Sequence, residues 1–163
     1  MNRPDETASA DERYLEDFVP GSVHEYGPVP VSEAEILEFA RKYDPQPIHV
    51  DPEWARTGPF GGLIASGWHT AALTMRLLVD NYLPAAASLA SPGIDELRWI
   101  RPVRPGDALS VRVTVLEARP SRSKPDRGLL RSQVEILDAE GAIMMTLLAL
   151  NMLRRRPTGP PSP

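Results

Sequence analysis

Hydrophobic and polar residues along the 163-residue chain follow two periods, one typical of helices and one typical of strands. Two stretches have apolar residues every three or four positions, as amphipathic helices do. The first begins at an S-x-x-E capping box made by Ser32 and Glu35. It is expected to end before Pro45 and Pro47, because proline cannot continue a helix, and to give way to a loop.

The second helix is predicted to begin at Ala65 or Ser66, to run to about Tyr82 and to end before Pro84. Apolar residues cover much of its circumference. Its main apolar stripe consists of Ile64, Trp68, Ala71, Ala72, Met75, Val79 and Tyr82, and Leu73 and Leu78 widen it. A helix that is apolar on most sides is expected to be buried rather than to lie on the surface.

The last third of the chain alternates between apolar and polar residues with the period of two that half-buried strands show. The alternation is clear at 109–115 and weaker at 130–136, whereas 143–153 is apolar on both faces. The turn sequences RPGD and DAEG separate these strands. With a further strand predicted at 18–26, the order favours an α+β fold in which an antiparallel sheet wraps around the second helix. A doubly wound parallel sheet would need more helices than the pattern provides.

Composition indicates one globular domain, with 42% hydrophobic and 25% charged residues and a net charge of -4. A mildly acidic chain gives no electrostatic reason to expect nucleic-acid binding. The absence of cysteine excludes disulfides, thiolate nucleophiles and cysteine-based zinc sites. Residues 1–17 are polar and lack the apolar core of a signal peptide, and 156–163 are rich in proline, so both ends are expected to be disordered around a domain at 18–155. No apolar run could span a bilayer, so we expect a cytoplasmic protein.

Residues that carry chemistry cluster between the two helices, in the segment YDPQPIHVDPEWARTGPFGGLIASGWHT. It holds an acid, Asp44, a base, His49, and the start of a helix, and side chains of an irregular segment can converge. Alone, Asp44 before a proline is an ordinary turn residue and His49 a structural histidine. His49 and Asp51 could also be two metal ligands, but no third ligand lies near at metal-like spacing.

Two other interpretations of the segment have less support. Gly61 and Gly62 are not followed by the G-x-x-x-x-G-K pattern of a phosphate-binding loop. Ser66 does not stand in a G-x-S-x-G elbow, which argues against a serine hydrolase. The basic stretch at 119–127 is interpreted as a solvated hairpin loop, and its alternative role is contact with the phosphates of coenzyme A or with an acidic carrier protein.

The pattern D-x-Q-P-I-H-x-D, followed by F-G-G-L-I-A-S-G, resembles the signature of the MaoC-like (R)-specific enoyl-thioester hydratases. The usual family form is G-D-x-N-P-[aliphatic]-H followed by F-x-x-[aliphatic]-[small]-H-G. The segment RWIRPVRPGD resembles the family's strand–turn segment, and the resemblance covers about residues 18–153. It implies a hot-dog fold and reversible syn hydration of trans-2-enoyl thioesters of coenzyme A or acyl-carrier protein to (3R)-hydroxyacyl thioesters. It also implies a homodimer or a dimer-based oligomer, and no metal or redox cofactor.

The resemblance assigns the acid–base pair to Asp44 and His49, and the oxyanion hole to the backbone N–H of Gly67 at the start of the central helix. The chemistry agrees, because a histidine and a carboxylate whose pKa is raised by burial can hold one water between them. A helix N-terminus stabilises negative charge on the thioester oxygen. Gly67, lacking a side chain, would let the thioester approach closely. The remaining residues expected to line the substrate pocket are Tyr43, Gln46, Phe60, Gly62, Ile64, Ser66 and Trp68.

Three of these positions depart from the family form: Tyr43 replaces glycine, Gln46 replaces asparagine and Ser66 replaces histidine. The departures leave two alternatives open. One is a thioesterase of the same fold, against which the D-x-x-P-x-H spacing argues. The other is a non-catalytic subunit that binds acyl thioesters, with the pocket kept and turnover lost.

Overall fold

The computed structural model describes residues 10–158. The strands are β1 (Val23–Pro30), β2 (Ser88–Trp99), β3 (Ala108–Pro120), β4 (Arg127–Leu137) and β5 (Ile143–Arg154). The helices are α1 (Glu33–Tyr43), α2 (Pro47–Val50), α3 (Pro52–Thr57) and α4 (Gly67–Asn81). Four strands follow the long helix α4, and the last three contain the stretches predicted at 109–115, 130–136 and 143–153. No helix in this range is both long enough and apolar enough to cross a membrane.

All five strands form one antiparallel sheet in the order β1-β3-β4-β5-β2, so β1 and β2 are its edges. Alternate residues of β3, from Leu109 to Val115, are buried in one core with Leu77 and Leu78 of α4. The sheet therefore wraps around α4. This confirms the predicted α+β hot-dog architecture and excludes the doubly wound alternative, whose strands would be parallel.

The first helix is confirmed, and the loop after it is more regular than predicted. The Ser32 hydroxyl accepts from the Glu35 N–H (3.2 Å), and the Glu35 carboxylate accepts from the Ser32 N–H (3.1 Å), which completes the capping box. Helix α1 ends at Tyr43, but two short helices then begin at Pro47 and Pro52. The prediction of a wholly irregular loop is wrong, because a proline that ends one helix is also pre-organised for the first position of the next.

Helix α4 has nearly the predicted limits but presents a different face to the core. Its buried residues are His69, Thr70, Thr74, Leu77 and Leu78. Trp68, Met75 and Val79, from the stripe predicted to be buried, are 58%, 48% and 53% exposed. That prediction is wrong for the single chain, because the sheet covers one side of α4 and leaves these three residues on the other.

The first strand begins later than the predicted 18–26. A turn at Gly21, which has a φ of +87°, separates β1 from the residues before it. Only glycine adopts this backbone conformation readily. Phe18 precedes the turn and is buried, with its ring edge-to-face on Tyr82 at 5.3 Å between centroids. Its apolar character therefore reflects core packing rather than a strand.

The described parts of the two predicted disordered ends are ordered. Short 3-10 helices lie at Ala10–Glu12 and Leu15–Asp17, and Leu15 is buried. The Arg13 guanidinium donates to the Tyr82 carbonyl oxygen (2.7 Å). Arg156 donates to the Asp17 carboxylate (2.6 Å), which joins the two ends. The rest of both predicted ends, 1–9 and 159–163, lies outside the described residues.

Candidate active site

Asp44 and His49 are brought together by the proline-rich turn between α1 and α2. Asp44 is the C-cap of α1, with φ -150° and ψ 67°, and so leaves the helical path. The Gln46 N–H donates to the Asp44 carbonyl oxygen (2.8 Å), which tightens the turn, and His49 follows on α2. As a result His49 Nε2 lies 3.4 Å from Asp44 Oδ2. Both side chains are sheltered, at 7% and 18% exposure for His49 and Asp44.

A backbone carbonyl fixes the orientation and the tautomer of His49. Its Nδ1 lies 2.8 Å from the carbonyl oxygen of Ile64. A carbonyl oxygen only accepts hydrogen bonds, so Nδ1 carries the proton. In the neutral ring, Nε2 therefore has a free lone pair, and this atom faces the carboxylate. Ile64, predicted to line the pocket, contributes through its backbone.

The Asp44 carboxylate accepts two side-chain hydrogen bonds. The Ser66 hydroxyl donates to Oδ2 (2.6 Å), and the Gln46 amide donates to Oδ1 (2.7 Å). These donors, Ser66 foremost, hold the pKa of Asp44 below its ordinary value of 3.8. Burial acts in the opposite direction but is the weaker influence. The prediction of a carboxyl pKa raised by burial is therefore wrong, because hydrogen bonds to the ionised form outweigh desolvation.

Ser66 connects the acid to the start of α4. It is the N-cap residue, fully buried, and its hydroxyl oxygen accepts from the Trp68 N–H (3.3 Å) while its hydrogen goes to Asp44. Serine was expected in the pocket from the sequence, but its partner, 22 residues away, was not. Gly67 comes next, and the described residues offer its N–H no acceptor. A free N–H at a helix N-terminus attracts negative charge.

The space beside Gly67 is occupied by an indole ring from the edge strand. A β carbon at Gly67 would lie 2.5 Å from Nε1 and 2.6 Å from Cδ2 of Trp99, closer than atoms can pack. Trp99 therefore fills the space of a β carbon at Gly67. The expectation that a thioester approaches the Gly67 N–H stays a prediction. The spacing of motifs did not identify Trp99 as a site residue, although it stands in the strand–turn segment. In the sequence, the one sign that a side chain packs at this position was the glycine at the start of the predicted helix.

The other predicted pocket residues lie around this site with different contacts. Tyr43 is 63% exposed and packs against Phe39, at 5.0 Å between ring centroids. The Arg104 guanidinium donates to the Phe60 carbonyl oxygen (2.7 Å) and lies beside Gly62, so it ties that loop to the turn before β3. The structure thus joins Asp44, His49, Gln46 and Ser66 directly, with Gly67 next to Ser66 in the chain, and it gives Tyr43 and Phe60 exposed positions.

The basic hairpin between β3 and β4 is remote from this site within one chain. A shallow cleft there is lined by Arg119, Ser121, Arg122, Leu129 and Met152. Trp99 pairs with Met145 of β5, and Met152 is seven residues further along that strand. Seven residues of a strand span about 23 Å. Arg119 is also paired with Glu117 at 2.8 Å, as expected for a solvated loop.

Within 10–158, no three His, Cys, Asp or Glu side chains are grouped so that they could hold a metal ion. His49 has its Nδ1 bound to a carbonyl oxygen and its Nε2 beside Asp44.

Comparison with known proteins gives the site a family context. The family described as "MaoC like domain" matches residues 17–134. The 3-hydroxyacyl-thioester dehydratase Z of Mycobacterium tuberculosis is 30% identical over 128 residues, which cover 77% of this chain and 83% of that protein. The uncharacterized protein YdeM of Bacillus subtilis is 36% identical over 110 residues, covering 68% of this chain and 78% of that one. The crystal structure of a MaoC-like dehydratase from Rhodospirillum rubrum has a TM-score of 0.82 and 45% identity, covering 89% and 99% of the two chains.

Proposed function

The chain belongs to the MaoC-like dehydratase family, and on that premise we propose that it is a hydro-lyase acting on enoyl thioesters. The reaction is the reversible hydration of a trans-2-enoyl thioester to a (3R)-hydroxyacyl thioester, carried by coenzyme A or acyl-carrier protein. The observation that carries the proposal is the 3.4 Å separation of His49 Nε2 and Asp44 Oδ2 beside the N-terminus of α4.

The pair suits a water that donates to both partners. The lone pair on His49 Nε2 and the ionised Asp44 Oδ2 are both acceptors, so one water can donate a hydrogen to each from about 2.8 Å. The water oxygen then keeps a lone pair for C3 of the substrate. Ser66 and Gln46 support this arrangement, because they stabilise Asp44 in its ionised form.

The roles of the two side chains follow from their basicity. An imidazole is a stronger base than a carboxylate whose pKa is held low. His49 therefore takes the proton from water as the water oxygen bonds to C3. The C2–C3 double-bond electrons move toward the thioester carbonyl and give an enolate. His49 then returns the proton to C2 on the same face, and Asp44 stays charged to orient the water and stabilise the imidazolium.

The Gly67 N–H is assigned to the enolate oxygen. It is the first N–H of α4, where the partial charge of the helix dipole is positive. Negative charge on the thioester oxygen develops as the enolate forms, so a fixed donor at this position stabilises the transition state more than the substrate. Such a donor contributes about 3–4 kcal/mol in other enzymes.

One set of assays tests the proposal against its alternatives. With crotonyl-CoA, hydration consumes the conjugated double bond and lowers its ultraviolet absorbance, and chiral analysis of the product reports 3R or 3S. A thioesterase would instead release a free thiol. A binding subunit would do neither, although it would bind butyryl-CoA. Wild-type protein that binds acyl-CoA but hydrates no enoyl thioester would refute the proposal.

A further inference from the structure

The start of α4 is bordered by a tryptophan that no part of the acid–base mechanism uses. Trp99 is the last residue of the edge strand β2, and its indole lies against the α carbon of Gly67. Trp99 is 47% exposed, so one part of it packs on the helix and the rest is uncovered in the single chain. Gly67 carries the N–H proposed to hold the thioester oxygen, which places the ring at the edge of the thioester site.

The position of the ring is fixed from two directions. Trp68 meets it edge-to-face, at 5.2 Å between centroids and 79° between planes. The backbone just after it is anchored, because the N–H groups of Ile100 and Arg101 both donate to the Met144 carbonyl oxygen (2.9 and 3.2 Å). Trp99 thus packs against both Gly67 and Trp68, and the backbone that follows it is bonded to β5.

We infer that Trp99 is a specificity-determining residue that forms the wall of the thioester site, and that residue 67 is glycine because the indole occupies the space of a β carbon there. The role of Trp99 at the thioester site rests on the proposed function, whereas the reason for glycine at residue 67 rests on packing alone. The wall is flat and apolar, which suits a planar thioester group and the apolar acyl carbons beside it. It also limits from which side the carbonyl oxygen can reach the Gly67 N–H.

A glycine at the helix start has two possible explanations. If the acyl group itself needs the space, any side chain at 67 blocks the substrate whatever stands at 99. If Trp99 needs the space, an alanine at 67 acts by displacing the ring. Gly67 has no positive φ, so alanine fits the backbone, and in helices alanine is favoured over glycine.

The experiment is a double-mutant cycle read by binding of butyryl-CoA, a saturated thioester that is not hydrated. Calorimetric titration compares the wild type with G67A, W99A and G67A/W99A. We expect W99A to weaken binding about tenfold, since it removes a half-buried aromatic surface. G67A should weaken binding to a similar extent, and the double variant should bind no more weakly than W99A, because both changes remove one contact.

Two further variants control for general effects of losing tryptophan. Trp54 on α3 is 45% exposed and packs on Gly58, where a β carbon would lie 3.1 Å from its ring, so W54A is a matched loss of a tryptophan–glycine contact away from the pair. It should leave binding unchanged. W99F keeps an aromatic ring on Gly67 and should retain most of the affinity. Thermal melts of every variant show that it is folded.

Several outcomes would overturn the inference. One is W99A binding butyryl-CoA as tightly as the wild type. Another is G67A weakening binding equally in the wild-type and W99A backgrounds, which would mean that the acyl group needs the space. A third is W54A losing as much affinity as W99A. Failure of the proposed function is read separately, because hydration of crotonyl-CoA by the wild type tests turnover, whereas the cycle tests binding.

Discussion

At the scale of single residues, the ionisation state of Asp44 decides how the site can work. Ser66 and Gln46 donate to its two oxygens, while His49 Nε2 lies 3.4 Å from Oδ2. A carboxylate in this position accepts a hydrogen from water and does not supply one. Serine stands at 66 where the family form has histidine, and its buried hydroxyl stabilises the ionised Asp44 through a 2.6 Å hydrogen bond.

Removal of either member of the pair should lower hydration strongly. D44N and H49Q each keep similar size and hydrogen-bonding capacity but change which atoms accept protons. We expect each to slow crotonyl-CoA hydration by about a hundredfold or more. The double variant should lose much less than the product of the two losses, because residues that share one water act as a unit. Steady-state rates and butyryl-CoA titrations measure this, and near-normal turnover in either single variant would contradict the site assignment.

Ser66 should stabilise the folded chain in a pH-dependent manner. S66A removes the hydrogen bond to Asp44 and the N-cap of α4, and we expect a loss of about 1 kcal/mol in unfolding free energy at neutral pH. The pKa of Asp44 is lowered in the folded state, so this stabilisation is present above its ordinary value of 3.8 and is lost as the pH falls below it. The difference between wild type and S66A should therefore shrink in acid.

The control for that experiment is another buried hydroxyl on the same helix. Thr74 donates to the Thr70 carbonyl oxygen (2.8 Å) and touches no titrating group in that bond. Urea unfolding of T74V at the same protein concentration and the same pH values should show a pH-independent loss. A constant gap between S66A and wild type down to about pH 3 would count against the assigned Asp44 interaction.

At the scale of elements, Tyr82 joins the N-terminal segment, α4 and the sheet. Its ring meets Phe18, the Arg13 guanidinium lies 5.7 Å from the ring centroid, and its hydroxyl bonds Ser132 on β4 (2.9 Å). Tyr82 is 1% exposed, and burial raises its pKa from 10.0 to about 12. The described part of the N-terminal segment, which was predicted to be disordered, is thus tied to the end of α4 by one buried residue.

This raised pKa predicts a defined loss of stability in alkali. The neutral phenol is favoured in the folded state, so the stabilisation is complete below pH 10 and is lost as the pH rises toward about 12. Y82F should cost roughly 1 kcal/mol at neutral pH, because Ser132 loses its partner. Denaturant unfolding should then show the gap between wild type and Y82F closing between these pH values. A gap that widens with pH would contradict the burial argument.

At the scale of the whole molecule, one chain leaves an apolar surface uncovered. Trp68, Met75 and Val79 on α4 are exposed, and so is Ile94 at 48% on the edge strand β2. In the described part of the chain, β2 is hydrogen-bonded to β5 on one side only. A long open edge beside an apolar helix face is a surface that another chain can complete.

We therefore predict that the smallest stable unit is a homodimer that covers this surface. Light scattering at micromolar concentration should give twice the chain mass for the wild type. M75E/V79E should yield a monomer, because charges on the helix face would be buried without partners. L116E serves as control, since Leu116 is 40% exposed on β3, in the interior of the sheet order, and the variant should remain dimeric. A monomeric wild type, or a dimer unaffected by M75E/V79E, would refute the prediction.

The parts of the fold that could be predicted from the sequence are those that depend on local interactions. The Ser32–Glu35 box, the helix-ending prolines and the period of two in β3 all act between residues a few positions apart, so their effects can be predicted from the sequence. The family pattern around Asp44 and His49 spans six residues and could be recognised for the same reason. The late start of β1 shows where such prediction fails. An apolar residue such as Phe18 fits a strand and a buried non-strand position equally well, so the pattern cannot distinguish the two.

What the sequence by itself determined is therefore the order of the elements, the hot-dog class and the segment that holds the acid and the base. Tertiary structure decided the rest, because the relevant partners come from different elements. Ser66 reaches Asp44 across 22 positions and lowers its pKa, which opposes the shift expected from burial alone. Trp99 reaches Gly67 from the far edge of the sheet, and the sheet selects which side of α4 is covered. Periodicity identifies an apolar helix face, but only the packing of the sheet determines whether this chain buries that face itself.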